Sequence, residues 1–206
     1  MAVTLILLSS AGMAQTNPPS NEDRMADAIV KMVPLGRIFE DVAAGDPKWP
    51  MQDAPPGAVT DEQLGCMRAE LTQEGYRRSK RAEVDAYASA NPSRMADDLR
   101  LLEGGAADLF GKLVLAGAKS ERTGVAVDAQ AVLKSSTPEQ FLSFMTLLSD
   151  PNYAELRKLT GVGNALGVTK SAAENEDAGE QIGSSLAVQQ MIKSMSTCKV
   201  PLSAIL

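Results

Sequence analysis

Apolar residues near the start of the chain recur every three or four positions, which is the spacing of one helix face. Met25, Ile29 and Met32 follow this spacing and predict an amphipathic helix. Pro34 has no backbone N–H, so it is expected to break or kink that helix. The same period resumes beyond the proline at the apolar positions Leu35, Ile38, Phe39 and Val42. Residues 15–44 are therefore predicted to form a polar leader followed by a kinked helix.

The helical period stops between residues 45 and 59, a stretch that holds four prolines and the only tryptophan of the chain. Clustered prolines favour a linker or an ordered loop. This stretch is predicted to separate the N-terminal helical piece from a main helical domain of residues 60–206. Trp49 in the loop is a candidate exposed hot spot for partner contact, because interface hot spots are rich in tryptophan. The alternative is that Trp49 packs over the helices as a plug.

Within the main domain, two helix starts carry a capping signature. In Thr60-x-x-Gln63 and again in Thr137-x-x-Gln140, each side chain can satisfy a backbone donor of the other residue. Between them, residues 106–114 carry the strongest apolar face of the chain. We expect a core helix there that ends at Gly117.

Residues 119–128 are predicted to be a loop, with Val125 and Val127 in a short extended piece. The helix opened by Thr137 is expected to bury the apolar residues Phe141, Phe144, Met145 and Leu148. A final helix is expected from about residue 179 to residue 196, after a polar, acidic stretch. The whole pattern predicts an all-α protein, a compact bundle or orthogonal array of about seven or eight helices.

Composition agrees with this fold class. Apolar residues make up 44 % of the chain but aromatic residues only 4 %, and the apolar load falls on helix-forming Ala, Leu and Met. The formal net charge of −6, with no strongly basic region, is unfavourable for binding nucleic acid. Histidine is absent, which excludes Ser-His-Asp and Cys-His catalysis and most zinc sites.

Residues 1–14 predict export from the cytosol. They are uncharged, contain the apolar run Leu5-Ile6-Leu7-Leu8 and end in small residues before a polar, Pro-containing stretch. This is the pattern of a signal peptide cleaved after Ala14, although no Lys or Arg precedes the apolar run. The run is far shorter than the ~20 residues of a membrane span. We therefore expect a periplasmic bacterial protein whose mature form does not span a membrane.

Export bears directly on the two cysteines, Cys66 and Cys198. In an oxidising compartment an isolated pair favours a disulfide over a reactive thiol. Two buried free thiols are the alternative.

The densest basic cluster consists of four neighbouring residues, Arg77, Arg78, Lys80 and Arg81. It could receive a carboxylate-rich partner or an anionic glycan, since arginine offers a planar bidentate fork. The alternative is a solvated helix face on which Glu74 pairs with Arg78 and Arg81 with Asp85, each four residues apart.

Three other motifs suggest chemistry only superficially. The glycines of residues 161–167 imitate a dinucleotide loop, but a helical pattern precedes them where a strand is needed. Ser196-x-x-Lys199 has the spacing of penicillin-recognising enzymes without their other motifs. The acidic run of residues 174–177 lacks the alternation of a calcium loop. We predict no catalytic residue, no cofactor and no metal site.

The segment of residues 141–159 resembles a known group of proteins. Phe141-x-x-Phe144, followed by Leu148-Ser149-Asp150-Pro151 and Leu156-Arg157-Lys158-Leu159, is similar to the C-terminal helical pair in a family of uncharacterised periplasmic proteins of Gram-negative bacteria. The resemblance implies an all-α exported protein and brings no catalytic residues with it.

Together these features predict an exported helical protein that acts by binding a protein partner. The most concrete version is a periplasmic inhibitor or immunity protein that neutralises a cell-envelope toxin or hydrolase. One alternative is a histidine-free glycan hydrolase that uses paired carboxylates, with candidates among Glu70, Glu74, Asp97, Asp98 and Glu103. Another is a structural or assembly factor that forms a homodimer through an apolar helix face.

Overall fold

Every regular element that the structure describes is helical. The structure is a computed structural model that describes residues 18–125 and 128–204; the proposed signal peptide and Val127 lie outside these ranges. The α-helices are α1 (Asn21–Met32), α2 (Leu35–Gly45), α3 (Asp61–Leu71), α4 (Gln73–Ala90), α5 (Met95–Leu101), α6 (Ala107–Thr123), α7 (Ala129–Lys134), α8 (Pro138–Ser149), α9 (Ala154–Thr160) and α10 (Ala172–Thr197). The predicted all-α class is confirmed, with ten α-helices in the described ranges where about seven or eight were expected.

Helix α1 lies at the centre of the main core. Met25, Ile29 and Met32 are fully buried, and the helix packs against α4 and α6. Residues on more than one of its faces are buried, including Ala26, Ala28 and Val30. The predicted separation of the N-terminal helical piece from the rest of the fold therefore does not hold, because α1 supplies the middle of the shared core.

The break between α1 and α2 occurs at Pro34, as its missing N–H predicts. Val33 ends α1, and its backbone N–H still donates to the carbonyl of Ile29 at 2.9 Å. Residues 46–59 form an irregular loop between α2 and α3. This loop is packed onto the helices, since both Trp49 and Met51 are buried.

Helices α5 and α6 are joined through a widened helical turn over Leu102–Ala106. Gly105 there has a φ of 120°, a conformation that favours glycine, and it faces Gln140 on α8. The predicted core helix is confirmed by the burial of Ala106, Leu109 and Phe110. Its predicted end is wrong, because α6 continues through Gly117 to Thr123 and stops at the left-handed Gly124.

Three helices of the main domain begin at a capping box. Both predicted capping boxes form, at Thr60 on α3 and at Thr137 on α8. A third, between Ser171 and Glu174, starts α10 at Ala172, seven residues before the expected start.

On α8, Phe144 is buried but Phe141 is 40 % exposed, so the predicted core position of Phe141 is wrong. No helix in the described ranges is both long and apolar enough to cross a lipid bilayer.

Candidate binding cleft

The predicted disulfide is confirmed. Cys66 on α3 and Cys198, directly after α10, are bonded, and their Cα atoms are 5.7 Å apart. Gln63 adds a link nearby by donating through Nε2 to the carbonyl of Lys199 at 2.8 Å. A second, smaller core lies around the bond and contains the buried apolar residues Met51, Met67, Met195, Val200 and Ala204. The disulfide therefore fastens the C-terminal end of the chain to α3.

Trp49 does not form an exposed contact point. Its side chain is only 8 % exposed, and its ring centroid lies 5.5 Å from that of Phe39 on α2. The backbone carbonyl of Trp49 accepts a hydrogen bond from Nε of Arg68 at 2.9 Å. The hot-spot prediction is corrected in favour of the plug, because the loop folds back and covers α2.

The predicted basic cluster does not form one open surface. Arg77 and Arg81 point towards α1, where Arg77 pairs with Asp27 and Arg81 pairs with Asp23 at 3.0 Å. Arg81 also pairs with Asp85 within α4. The pairs with Asp27 and Asp23 link α4 to α1, so both arginines already have ion-pair partners within the protein.

The other two members of the cluster have separate surroundings. Arg78 pairs with Glu70 at 2.9 Å. Lys80 is only 6 % exposed; its ammonium pairs with Glu83 at 2.8 Å and lies 5.6 Å from the ring centroid of Tyr76. Arg77 and Arg81 share one face because they are four residues apart, whereas Arg78 and Lys80 lie to either side of that face, since successive residues are rotated by about 100°. A sequence cluster of this kind is therefore divided by the helix that carries it.

Arg77 also lines a cleft of about 440 Å³ between α1, α2, α4 and α6. The lining is a mixture of charged and apolar residues: Asp27, Val30, Lys31, Pro34, Arg37, Gln73, Glu74, Arg77, Asp108, Gly111, Lys112 and Leu115.

Two glycines let the backbones approach closely enough to form this cleft. A Cβ atom on Gly111 of α6 would overlap the carbonyl oxygen of Lys31, at the end of α1. A Cβ atom on Gly36 of α2 would lie 2.6 Å from the backbone nitrogen of Gln73, at the start of α4. Only glycine fits both contacts without displacing a helix.

Asp108 is the electrostatic centre of the cleft. Its two carboxylate oxygens accept separately, one from Lys31 at 3.0 Å and the other from Lys112 at 2.9 Å. Hydrogen bonds from Lys112 and Lys31 hold the pKa of Asp108 below its usual value. Asp108 therefore stays ionised at neutral pH and is shared by two ammonium groups.

Basic groups outnumber acidic groups in the lining. Its four cations are Lys31, Arg37, Arg77 and Lys112, against the three carboxylates Asp27, Glu74 and Asp108. Arg37 is exposed, and within residues 18–125 and 128–204 it makes no ion pair or side-chain hydrogen bond. The lining thus carries one more basic than acidic group, on a chain whose formal net charge is −6. Asp23, outside the lining, lies 3.7 Å from Arg77.

This arrangement suits ion binding better than proton transfer. A general acid of a glycan hydrolase needs a raised pKa, whereas the pKa of Asp108 is lowered.

The five carboxylates considered for a hydrolase do not all converge, although Glu70 and Glu74 both pair with Arg78, at 2.9 Å and 4.0 Å. Glu74 lines the cleft, but Asp98 is buried against Tyr87 and Arg94. Glu103 pairs with Arg24 on α1, and Asp97 pairs with Arg100. In the part of the chain that the structure describes, no group of three or more Asp, Glu or Cys side chains is placed to hold a metal ion.

Of the cleft residues, only Arg77 belongs to the site predicted from sequence. Lys31, Arg37 and Lys112 are single cations in three different helices, and nothing in their local sequence joins them. The available signal was the glycine pair at positions 36 and 111, since a glycine inside a helix can indicate a close backbone approach. Helix packing alone brings these residues together.

No family model matches the chain, and no curated protein or solved structure is detectably similar to it.

Proposed function

We propose that this chain is an exported helical binding protein, most concretely a periplasmic inhibitor or immunity protein that neutralises a cell-envelope toxin or hydrolase. The observation that carries the proposal is the cation-rich cleft, in which the central carboxylate is held ionised and shared between two lysines. Such a cleft can attract and orient a charged group of a partner.

The rest of the molecule supports a role in binding. The disulfide between Cys66 and Cys198 is compatible with an oxidising compartment. Capped helices and the disulfide restrict the conformations of the surface, which lowers the entropy lost when a partner binds. A local charge opposite to that of the whole molecule also accelerates and orients association with a complementary partner.

The proposal is tested by producing the full chain, with its own N-terminus, in a Gram-negative host. We expect the protein in the periplasmic fraction, and we expect cross-linking there to capture a toxin or a hydrolase of the cell envelope. The purified protein should inhibit that partner at a molar ratio near one to one. Co-expression should protect cells from the partner, and a matched chain without residues 2–14 should not protect them.

Two results would overturn the proposal. One is the absence of any captured toxin or hydrolase together with no protection of cells. The other is activity of the purified protein itself as a hydrolase of envelope glycan.

A further inference from the structure

We infer that the cleft between α1, α2, α4 and α6 is a carboxylate-binding site, which receives an acidic side chain flanked by apolar residues from the protein partner. This inference rests on the proposed function and names the chemistry of the group that is bound. Three observations carry it: the charge balance, the placement of the cations and the apolar part of the lining.

The ammonium groups of Lys31 and Lys112 have more N–H donors than the carboxylate of Asp108 can accept from. Lys31 and Lys112 occupy one oxygen each of the same carboxylate, Asp108. An ammonium group has three N–H donors, so a single carboxylate cannot saturate both lysines. Lys31 and Lys112 are largely open to solvent, with side-chain exposures of 61 % and 48 %. An incoming anion can therefore reach both.

Arg37 supplies a further cation to the lining. It lies on α2, lines the same cleft, and has no ion-pair partner among the residues that the structure describes. A guanidinium group can bind a carboxylate through two parallel hydrogen bonds. Arg37 can therefore bind a carboxylate without breaking an existing ion pair.

The apolar lining favours an organic anion over an inorganic one. Val30, Pro34 and Leu115 form part of the cleft wall. Val30 and Pro34 are already buried, and Leu115 is half-buried. Phosphate or sulfate would leave the exposed part of Leu115 in contact with water, whereas the methylene groups of a glutamate and a neighbouring leucine would cover it. A volume of about 440 Å³ lies near the lower end of the range for ligand pockets, which fits one or two side chains.

The test uses the peptide acetyl-Leu-Glu-Leu-amide and a control, acetyl-Leu-Gln-Leu-amide, which differs only in the missing charge. Both are titrated into the full-chain protein purified from the periplasm, and backbone amide signals are followed by NMR. We expect the glutamate peptide to shift the amide signals of Lys31, Arg37 and Gly111. The glutamine peptide should bind at least about tenfold more weakly, inorganic phosphate should also bind more weakly, and added salt should weaken binding of the glutamate peptide.

Two variants are expected to change the affinity for the glutamate peptide in opposite directions. A variant that failed to fold could only lose affinity. Arg37→Gln removes the unpaired cation and should weaken binding of the glutamate peptide about three- to tenfold. Asp108→Asn removes the internal carboxylate that competes for Lys31 and Lys112, so it should strengthen binding. Arg100→Gln is the matched control, because Arg100 is exposed and pairs with Asp97 outside the cleft.

Equal binding of the two peptides, or of the glutamate peptide and phosphate, would overturn the inference. So would weaker binding by a folded Asp108→Asn variant. An identified partner that binds Arg37→Gln as tightly as the unchanged protein would refute the site but leave the proposed function standing. Peptide binding in the cleft without any inhibited partner would refute the function and retain the carboxylate site.

Discussion

At the scale of single residues, two buried tyrosines on α4 have opposite surroundings. The Tyr87 hydroxyl donates to the carboxylate of Asp98, which is fully buried and also accepts from Arg94 at 2.9 Å. The Tyr76 hydroxyl is buried and has no hydrogen-bond partner within the described residues. Burial raises the pKa of both tyrosines, so both hydroxyls remain protonated at neutral pH.

These surroundings predict opposite effects of removing the hydroxyl. Tyr76→Phe removes an unpaired polar group and should raise the free energy of unfolding by about 1 kcal/mol. Tyr87→Phe takes a donor away from a buried carboxylate and should lower it by about 1–3 kcal/mol. Urea unfolding of the two variants measures both changes. A loss of stability in Tyr76→Phe equal to that in Tyr87→Phe would contradict the assignment of Tyr76 as unpaired.

Asp108 gives a prediction about pH. Lys112 and Lys31 lower its pKa in the folded protein, so its stabilising effect is complete above its unfolded pKa of about 4. That effect is lost as the pH falls through the lower, folded pKa. The variant Asp108→Asn should therefore be less stable at pH 7 by up to about 1 kcal/mol. The difference should shrink below pH 4 and vanish below the folded pKa. Urea unfolding from pH 2 to 7 measures it; a difference independent of pH would contradict the prediction.

Individual residues also show what the sequence could not reveal. The i, i+4 pairing of Arg81 with Asp85 follows from helical spacing and is observed. The contacts of Lys80 with Tyr76 and Glu83 follow from the same spacing. Its burial does not, because α10 packs nearby and pairs Lys193 with Glu83. Burial of Trp49 likewise depends on the loop folding back over Phe39. Local patterns report neighbours along the helix but not neighbours across it.

At the scale of elements, the two helix starts with a predicted capping box were placed correctly, whereas the start of α10 and the end of α6 were not. Thr60 and Thr137 begin their helices because each cap depends on residues within one turn. The helix end predicted at Gly117 is wrong, and α6 continues for another turn and a half. A glycine destabilises an exposed helix by only about 1 kcal/mol, which is too little to end it.

Two glycines of α6 allow a matched test of this difference. Gly111→Ala places a Cβ atom against the carbonyl oxygen of Lys31 and should lower the free energy of unfolding by about 1–3 kcal/mol. At Gly117 a Cβ atom would meet no atom within 4 Å. Gly117→Ala should therefore stabilise the protein by about 0.5–1 kcal/mol through better helix propensity.

Thermal and urea unfolding measure both variants. The prediction fails if the two alanines have the same effect, because propensity alone would then account for Gly111. Since Gly111 also sets the approach of α1 to α6 at the cleft, its alanine variant should additionally alter the amide signals of the cleft residues. Gly117→Ala should leave those signals unchanged.

At the scale of the whole molecule, the fold class could be predicted from composition and period, but the arrangement of the parts could not. Proline-rich residues 46–59 suggested a division between two pieces. The structure shows a loop laid over a core to which α1 contributes Met25 and Ile29. The candidate cleft is a product of this arrangement, because Lys31 and Arg37 near the start of the chain meet Arg77 on α4 and Lys112 on α6.

The disulfide is the one long-range contact that the sequence did predict, and it determines a property of the whole molecule. It joins residues 132 positions apart, so its loss should lower the free energy of unfolding by about 2–5 kcal/mol, mainly because the unfolded chain becomes less restricted. Reduction should also loosen the smaller core around Met67 and Met195, while the main core around α1 keeps its helices.

Urea unfolding followed by circular dichroism, with and without dithiothreitol, measures the change in the free energy of unfolding, which is the first effect. Amide hydrogen exchange in α3 and at the end of α10 measures the second. The double variant Cys66→Ala, Cys198→Ala is the control, since it should match the reduced protein and show no further change with dithiothreitol. Equal stability of the oxidised protein and the double variant would contradict the assignment of the disulfide as a stabilising staple.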